Sequence, residues 1–127
     1  MAIQPRNLEQ LQVFNMRAPA SLTAVGDTTG VDLRGIDGDA LFILNASTAT
    51  ASTGMRAKLQ HADTVDGVYA DVPGGGFADL TAAASTQKLS IPRDENRGFY
   101  RINFFTETGS YDGVVSCVVL GSARYVV

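Results

Sequence analysis

The sequence predicts an all-β domain: an antiparallel β-sandwich of about seven to nine short strands, immunoglobulin-like or jelly-roll-like, with an N-terminal arm. Three observations predict it. Short apolar, aromatic and β-branched runs recur at regular spacing, with Gly-, Asp- and Pro-containing turns between them. Residues 55–61 alternate cleanly, with Met55, Ala57, Leu59 and His61 on one side and Arg56, Lys58 and Gln60 on the other, as a half-buried strand requires. Charged residues make up only 18% of the 127, while small residues abundant enough to include 13 glycines suit short strands and tight turns.

Residues 1–20 read as an N-terminal arm or edge segment, and residues 21–127 as the sandwich. Leu8, Leu11, Val13, Phe14 and Met16 are apolar but keep neither period cleanly. Leu8, Leu11 and Met16 can line one face of a short helix after Asn7, whereas residues 14–20 read as extended because Pro19 disfavours a helix before it. A first edge strand and a frayed tail compete with the arm. Residues 21–25 read as a short strand closed by a turn at 26–30, and Val31 and Leu33 alternate against Asp32 and Arg34 in the next. A turn cluster follows at 35–39. The continuous apolar run 40–44 predicts a central strand buried on both sides. Residues 45–54, nearly all Ala, Ser and Thr, read as a strand end and a long turn.

After the alternating strand, residues 63–67 predict a hairpin turn whose Asp66-Gly67 pair supplies positive φ. The return strand at 68–72 is broken by Pro73-Gly74-Gly75-Gly76. Residues 77–86 are undecided, with Ala82-Ala83-Ala84 able to take a helical turn. Residues 88–91 form a strand ended by Pro92, and a turn at 93–98 leads into the aromatic strand 99–106. Another turn at 108–113 precedes the strongly apolar strand 114–120, and residues 123–127 close the domain.

The chemistry is notable for what is missing. With 13 acids against 10 scattered bases the net charge is −3, and the nearest basic cluster, Arg93, Arg97 and Arg101, is interrupted by Asp94 and Glu95. Phosphate neutralisation has no footprint here, so no nucleic acid is expected as a partner. The N-terminus lacks the apolar core of a secretory signal, and no apolar stretch approaches the roughly 20 residues that span a membrane. A soluble protein made in a cytoplasm, with no membrane partner, is the expectation. Cys117 is the single cysteine; within its apolar run it reads as a buried, inert thiol.

His61 is the single histidine, which leaves most triads and His-rich metal sites short of residues. Asp37 with Asp39, and Asp63 with Asp66, are candidate carboxylate pairs, but all four sit in Gly-containing turns where Asp bonds its own backbone. Asp63, Asp66 and Asp71 do not follow EF-hand spacing. Gly74-Gly75-Gly76 lacks the Lys-Ser/Thr of a phosphate loop. No enzyme, cofactor or metal is expected. Along 99–105, period two places Tyr100, Ile102 and Phe104 on one face. Phe99, Arg101, Asn103 and Phe105 lie on the other, so Phe99, Arg101 and Phe105 join Leu8, Leu11, Val13, Phe14 and Met16 as candidate interface residues.

Several stretches resemble a known family. Ala18-Pro19-Ala20-Ser21-Leu22-Thr23-Ala24 and Thr29-Gly30-Val31-Asp32-Leu33-Arg34-Gly35 are followed by Lys58-Leu59-Gln60-His61-Ala62-Asp63-Thr64-Val65-Asp66-Gly67. Then come Phe99-Tyr100-Arg101, the apolar strand 114–120 and Gly121-Ser122-Ala123-Arg124. This series resembles the small head-decoration (cement) proteins of tailed bacteriophages. It departs from them at His61-Ala62, where Ser is usual, and at 81–87. The resemblance implies a virion component on the capsid exterior that binds the major capsid protein and neighbouring copies of itself, trimers being common in that family. Another virion β-domain (tail, head-completion or fibre-associated) and a carbohydrate-binding β-sandwich are the alternatives, the absence of Trp counting against the latter.

Overall fold

A strand with one apolar face must bury that face against a second layer, and here two sheets bury theirs against each other. The computed structural model describes residues 11–50, 55–92, 98–105 and 111–123. Nine strands follow in order: β1 (Leu11–Ser21), β2 (Gly26–Asp27), β3 (Val31–Asp32), β4 (Ile36–Ala46), β5 (Arg56–Ala62), β6 (Ala70–Gly76), β7 (Ser85–Ile91), β8 (Phe99–Phe105) and β9 (Val114–Ala123). No helix occurs among the described residues.

One sheet has the order β1-β9-β4-β7, and the other β2-β8-β5-β6 with β3 also on β8. β2 and β3 meet the same strand at successive positions, Asp27 opposite Asn103 and Val31 opposite Tyr100. Between them Thr28 keeps the ladder going. Its N–H donates to the Ile102 carbonyl at 2.9 Å, and its Oγ1 accepts the Ile102 N–H at 2.9 Å. Taken as one interrupted strand, β2 and β3 give two facing sheets of four. The antiparallel pairs are then nested: β1 with β9, β2/β3 with β8, β4 with β7, and the hairpin β5–β6 innermost. A hairpin ribbon folded over so that successive pairs alternate between sheets is a jelly roll. Of the two sandwich topologies predicted, this is the one formed.

The core lies between the sheets. Ala40, Phe42, Leu44, Val115, Cys117 and Val119 face Ala57, Leu59, Val72, Tyr100, Ile102 and Phe104 across it, all buried. The rings of Phe42 and Tyr100 lie 5.4 Å apart, tilted at 41°, and tie the two layers together. An aromatic pair of this kind adds about 0.5–1.5 kcal/mol beyond area burial. His61 is buried edge-on against Tyr100 at 5.6 Å, a core residue.

Several local expectations are corrected. Residues 22–25 are not a strand; β1 instead runs to Ser21 as an edge strand, where Pro19 is tolerated because it need not donate inward. The turn expected at 35–39 lies inside β4, which passes through it by a register shift between Asp37 and Leu41 with Gly38 at φ +89°. Pro73 and the three glycines do not break β6. They belong to it, with a bulge opposite β5 and Gly74 at φ +72°. Gly67 does not adopt positive φ, so the β5–β6 turn is not built on an Asp-Gly pair. Residues 81–84 contain no helical turn. Finally, β4 is central but not covered on both sides: Ala40, Phe42, Leu44 and Ala46 are buried while Leu41 and Ile43 are half-exposed. Most of the turn at 93–98, half of that at 108–113, and nearly all of the closing segment 123–127 lie outside the described residues.

Candidate functional site

With one face of each sheet spent on the core, any partner must meet an outer face, an edge or the loops. The two outer faces differ in kind. On the β8 sheet the outward residues Phe99, Arg101, Asn103 and Phe105 alternate with the buried Tyr100, Ile102 and Phe104, the period read from the sequence. Arg101 is the hub. Its Nε donates to Gln60 Oε1 at 2.9 Å, its Nη2 lies 3.4 Å from Asp27 Oδ2, and its guanidinium carbon sits 4.1 Å from the Tyr69 ring centre. Gln60 Nε2 donates to Asp71 Oδ1 at 2.9 Å, Lys58 Nζ donates to Asp71 Oδ2 at 3.1 Å, and Asn103 Nδ2 donates to Asp27 Oδ1 at 2.6 Å. The hydrogen bond from Gln60, then that from Lys58, holds the Asp71 carboxyl below its usual value. The outer rings carry cations too: Lys58 Nζ lies 5.0 Å from the Phe105 ring centre, and the Arg34 guanidinium 4.9 Å from that of Phe99. This face is closed upon itself.

The β9 sheet shows the opposite. Cross-strand pairing puts Val13, Leu120 and Leu41 side by side across β1, β9 and β4, with Ser90 of β7 at the end of the row. The next row reads Asn15, Val118, Ile43 and Lys88. Leu11 extends the apolar surface along β1 and Val114 along β9, and Val13 is 62% exposed. From Val13 to Ile43 these rows hold no charge at all; Lys88, on the far edge strand, is the first. Contiguous apolar surface of this sort is where soluble domains meet partners.

The interface candidates named from the sequence are therefore not brought together. Leu11 and Val13 lie on the outer face of the β9 sheet, while Phe14 and Met16 turn into the core, Met16 at a register shift in β1. Phe99, Arg101 and Phe105 belong to the opposite face, and Leu8 lies outside the described residues. The residues that sequence reasoning missed are Leu41, Ile43, Val118 and Leu120. Their signal was present: the run 40–44 is apolar at every position and the run 114–120 at all but Ser116, where a half-covered sheet calls for alternation.

No family model matches the chain, and no curated protein matches it. Solved structures do match. The structure of infectious bursal disease virus Gt strain superposes with a TM-score of 0.52 and 11% identity, covering 88% of this chain and 33% of that one. That of the Gx strain superposes with a TM-score of 0.50 and 13% identity, covering 91% and 34%. The likeness is one of fold. The chain spans about a third of the length of the chains it matches.

Other features offer little chemistry. Beside β5 and β6 an open cleft of about 390 Å³ is lined by Arg56, Lys58, Asp71, Phe77, Asp79 and Phe105 among others. Its charges are already paired, Arg56 with Asp79 and Lys58 with Asp71, both at 3.1 Å, and Lys58 occupies the Phe105 ring. Burial pushes the Cys117 thiol up to about 12, so the thiolate that would react is withheld. Among the described residues no group of three or more His, Cys, Asp or Glu side chains is placed to hold a metal, and no helix is long and apolar enough to cross a membrane. What the arrangement supplies is an apolar plate on one side and a polar face, its charges paired, on the other.

Proposed function

We propose that this chain is a structural jelly-roll domain of a virus particle, a decoration protein that binds the outside of a phage head and stabilises it. The uncharged stretch from β1 to β4 on the outer face of the β9 sheet carries this reading. Desolvating a charge against a protein lattice is expensive; covering Val13, Leu41, Ile43, Val118 and Leu120 desolvates none and yields about 25 cal/mol for each Å² of apolar surface covered. Jelly rolls recur in viral capsid and lectin domains, which agrees with the two viral structures that share the fold, although a fold alone does not specify a function. The sequence resemblance to decoration proteins points the same way. The partners are then the major capsid protein and neighbouring copies of the chain. Contacts that are weak one at a time become avid when repeated across a shell.

The test is to mix the purified chain with expanded, undecorated heads of its own phage. Co-sedimentation at a fixed ratio of chains to capsid subunits, with a raised capsid melting temperature, is the expected result. Heads that neither retain the chain nor gain stability overturn the reading.

A further inference from the structure

An edge strand carries a row of N–H and C=O groups with no ladder partner, and folded proteins normally blunt such rows. Three of the four edges here are blunted. β2 and β3 are two residues each. β6 contains Pro73 and a bulge. β7 is tied at one point to the segment before it, since Ala78 N–H donates to Gln87 Oε1 at 2.7 Å and Gln87 Nε2 donates to the Ala78 carbonyl at 3.1 Å. β7 also carries Lys88 outward and ends at Pro92.

The fourth edge is β1, and among the described residues it is protected along one half only. Beyond Asn15, as far as Ser21, there are two register shifts, a proline, and the Arg17 side chain bonded to the carbonyls of Val115, Ala20 and Ser21. Leu11, Gln12, Val13, Phe14 and Asn15 pair with β9 in unbroken register, from Ser122 to Val118. None of the five is charged, and none is proline or glycine. The apolar row Leu41–Leu120–Val13 runs straight out to this edge and ends there at its most exposed member.

We infer that residues 11–15 of β1 pair antiparallel with the same residues of a second copy of this chain, about a two-fold axis near Val13, joining two β9 sheets into one of eight strands. A second copy fits because the strand is its own complement. It offers an uncharged partner of equal length, so no like charges are brought together, and its Val13 continues the apolar row into Leu120 and Leu41 of the copy. Such an isologous contact closes on itself and does not propagate into a fibre. The pairing stands whether or not the chain lies on a capsid, because it concerns the free protein.

Sedimentation equilibrium of the full chain tests it. The expected result is a concentration-dependent dimer, twice 13.4 kDa, for the wild type. Val13→Lys and Val13→Glu, each placing like charges across the axis, should be monomeric, and their equimolar mixture should dimerise again. Both substitutions fall on an exposed side chain, and circular dichroism will show that each variant keeps its strands. Val68→Lys, at a residue 88% exposed outside the strands, should leave the dimer intact. A wild type that stays monomeric up to millimolar concentration, forms a trimer, or dimerises unchanged by Val13→Lys overturns the inference. A mixture of the two variants that remains monomeric does so too.

Discussion

The two outer faces of this sandwich have the same architecture beneath them and opposite surfaces above. On the β8 sheet, Arg101, Gln60, Lys58, Asp71, Asp27 and Tyr69 answer one another's charges and hydrogen bonds within a single chain. On the β9 sheet, Leu41, Ile43, Val118 and Leu120 have neighbours beside them and stay half-exposed, with no polar network over them among the described residues. The first face is finished by its own residues; the second, among the described residues, is not. A polar network can thus mark the side of a module turned to water, and an apolar plate the side turned to its partner.

Four experiments break or sharpen that contrast. Phe42→Ala removes the ring that joins the layers and should cost about 3–5 kcal/mol in urea unfolding, losing both faces together. Ile43→Lys puts a charge in the middle of the apolar plate. Affinity for capsids should fall at least tenfold, about 1.4 kcal/mol, while unfolding stability changes by less than about 1 kcal/mol. Unchanged binding would remove the plate from the interface. Arg101→Ala does the reverse. Losing a partly exposed ion pair, a hydrogen bond and the stack on Tyr69 should lower stability by about 1 kcal/mol with capsid binding untouched.

The smallest effect concerns acid. Asp71 is lowered from 3.8 by Gln60 and then Lys58, and Asp32 is lowered by its hydrogen bonds with Arg34. A carboxyl lower in the folded state than in the unfolded one adds stability above the unfolded value, and that stability fades as pH falls through the folded one. The urea midpoint should therefore slip slightly below pH 4, and Asp71→Asn should lessen the slip. Binding through the apolar plate should not follow the titration of Asp71.

Much of this was legible in the sequence. The alternation of 55–61 and 99–105 identified which side chains enter the core, because the period of two is a geometric property of a strand. The composition pointed to sheets joined by small-residue turns. What was not legible has physical causes. Pro73 and Gly74-Gly75-Gly76 look like a strand breaker, yet an edge strand with a bulge accepts both. The runs at 40–44 and 114–120 announce that both faces of a strand avoid water, but a sequence cannot say whether the second cover comes from the same chain. The candidate residues between 11 and 16 are split over two faces by the strand period itself, Leu11 and Val13 on one side and Phe14 and Met16 on the other, and their mixed apolar pattern does not show which side is the core.

The nesting of strand pairs has one more consequence. Leu11 pairs with Ser122, so the first described strand cannot find its place until the last has been made. During synthesis only the β5–β6 hairpin can close locally; every other pair waits for chain still inside the ribosome. The β9 sheet is therefore completed last, a slow order of events typical of high contact order. Until then residues 11–15 are open along both sides of the strand, and crowding of nascent copies is when this protein is most at risk of joining the wrong neighbour.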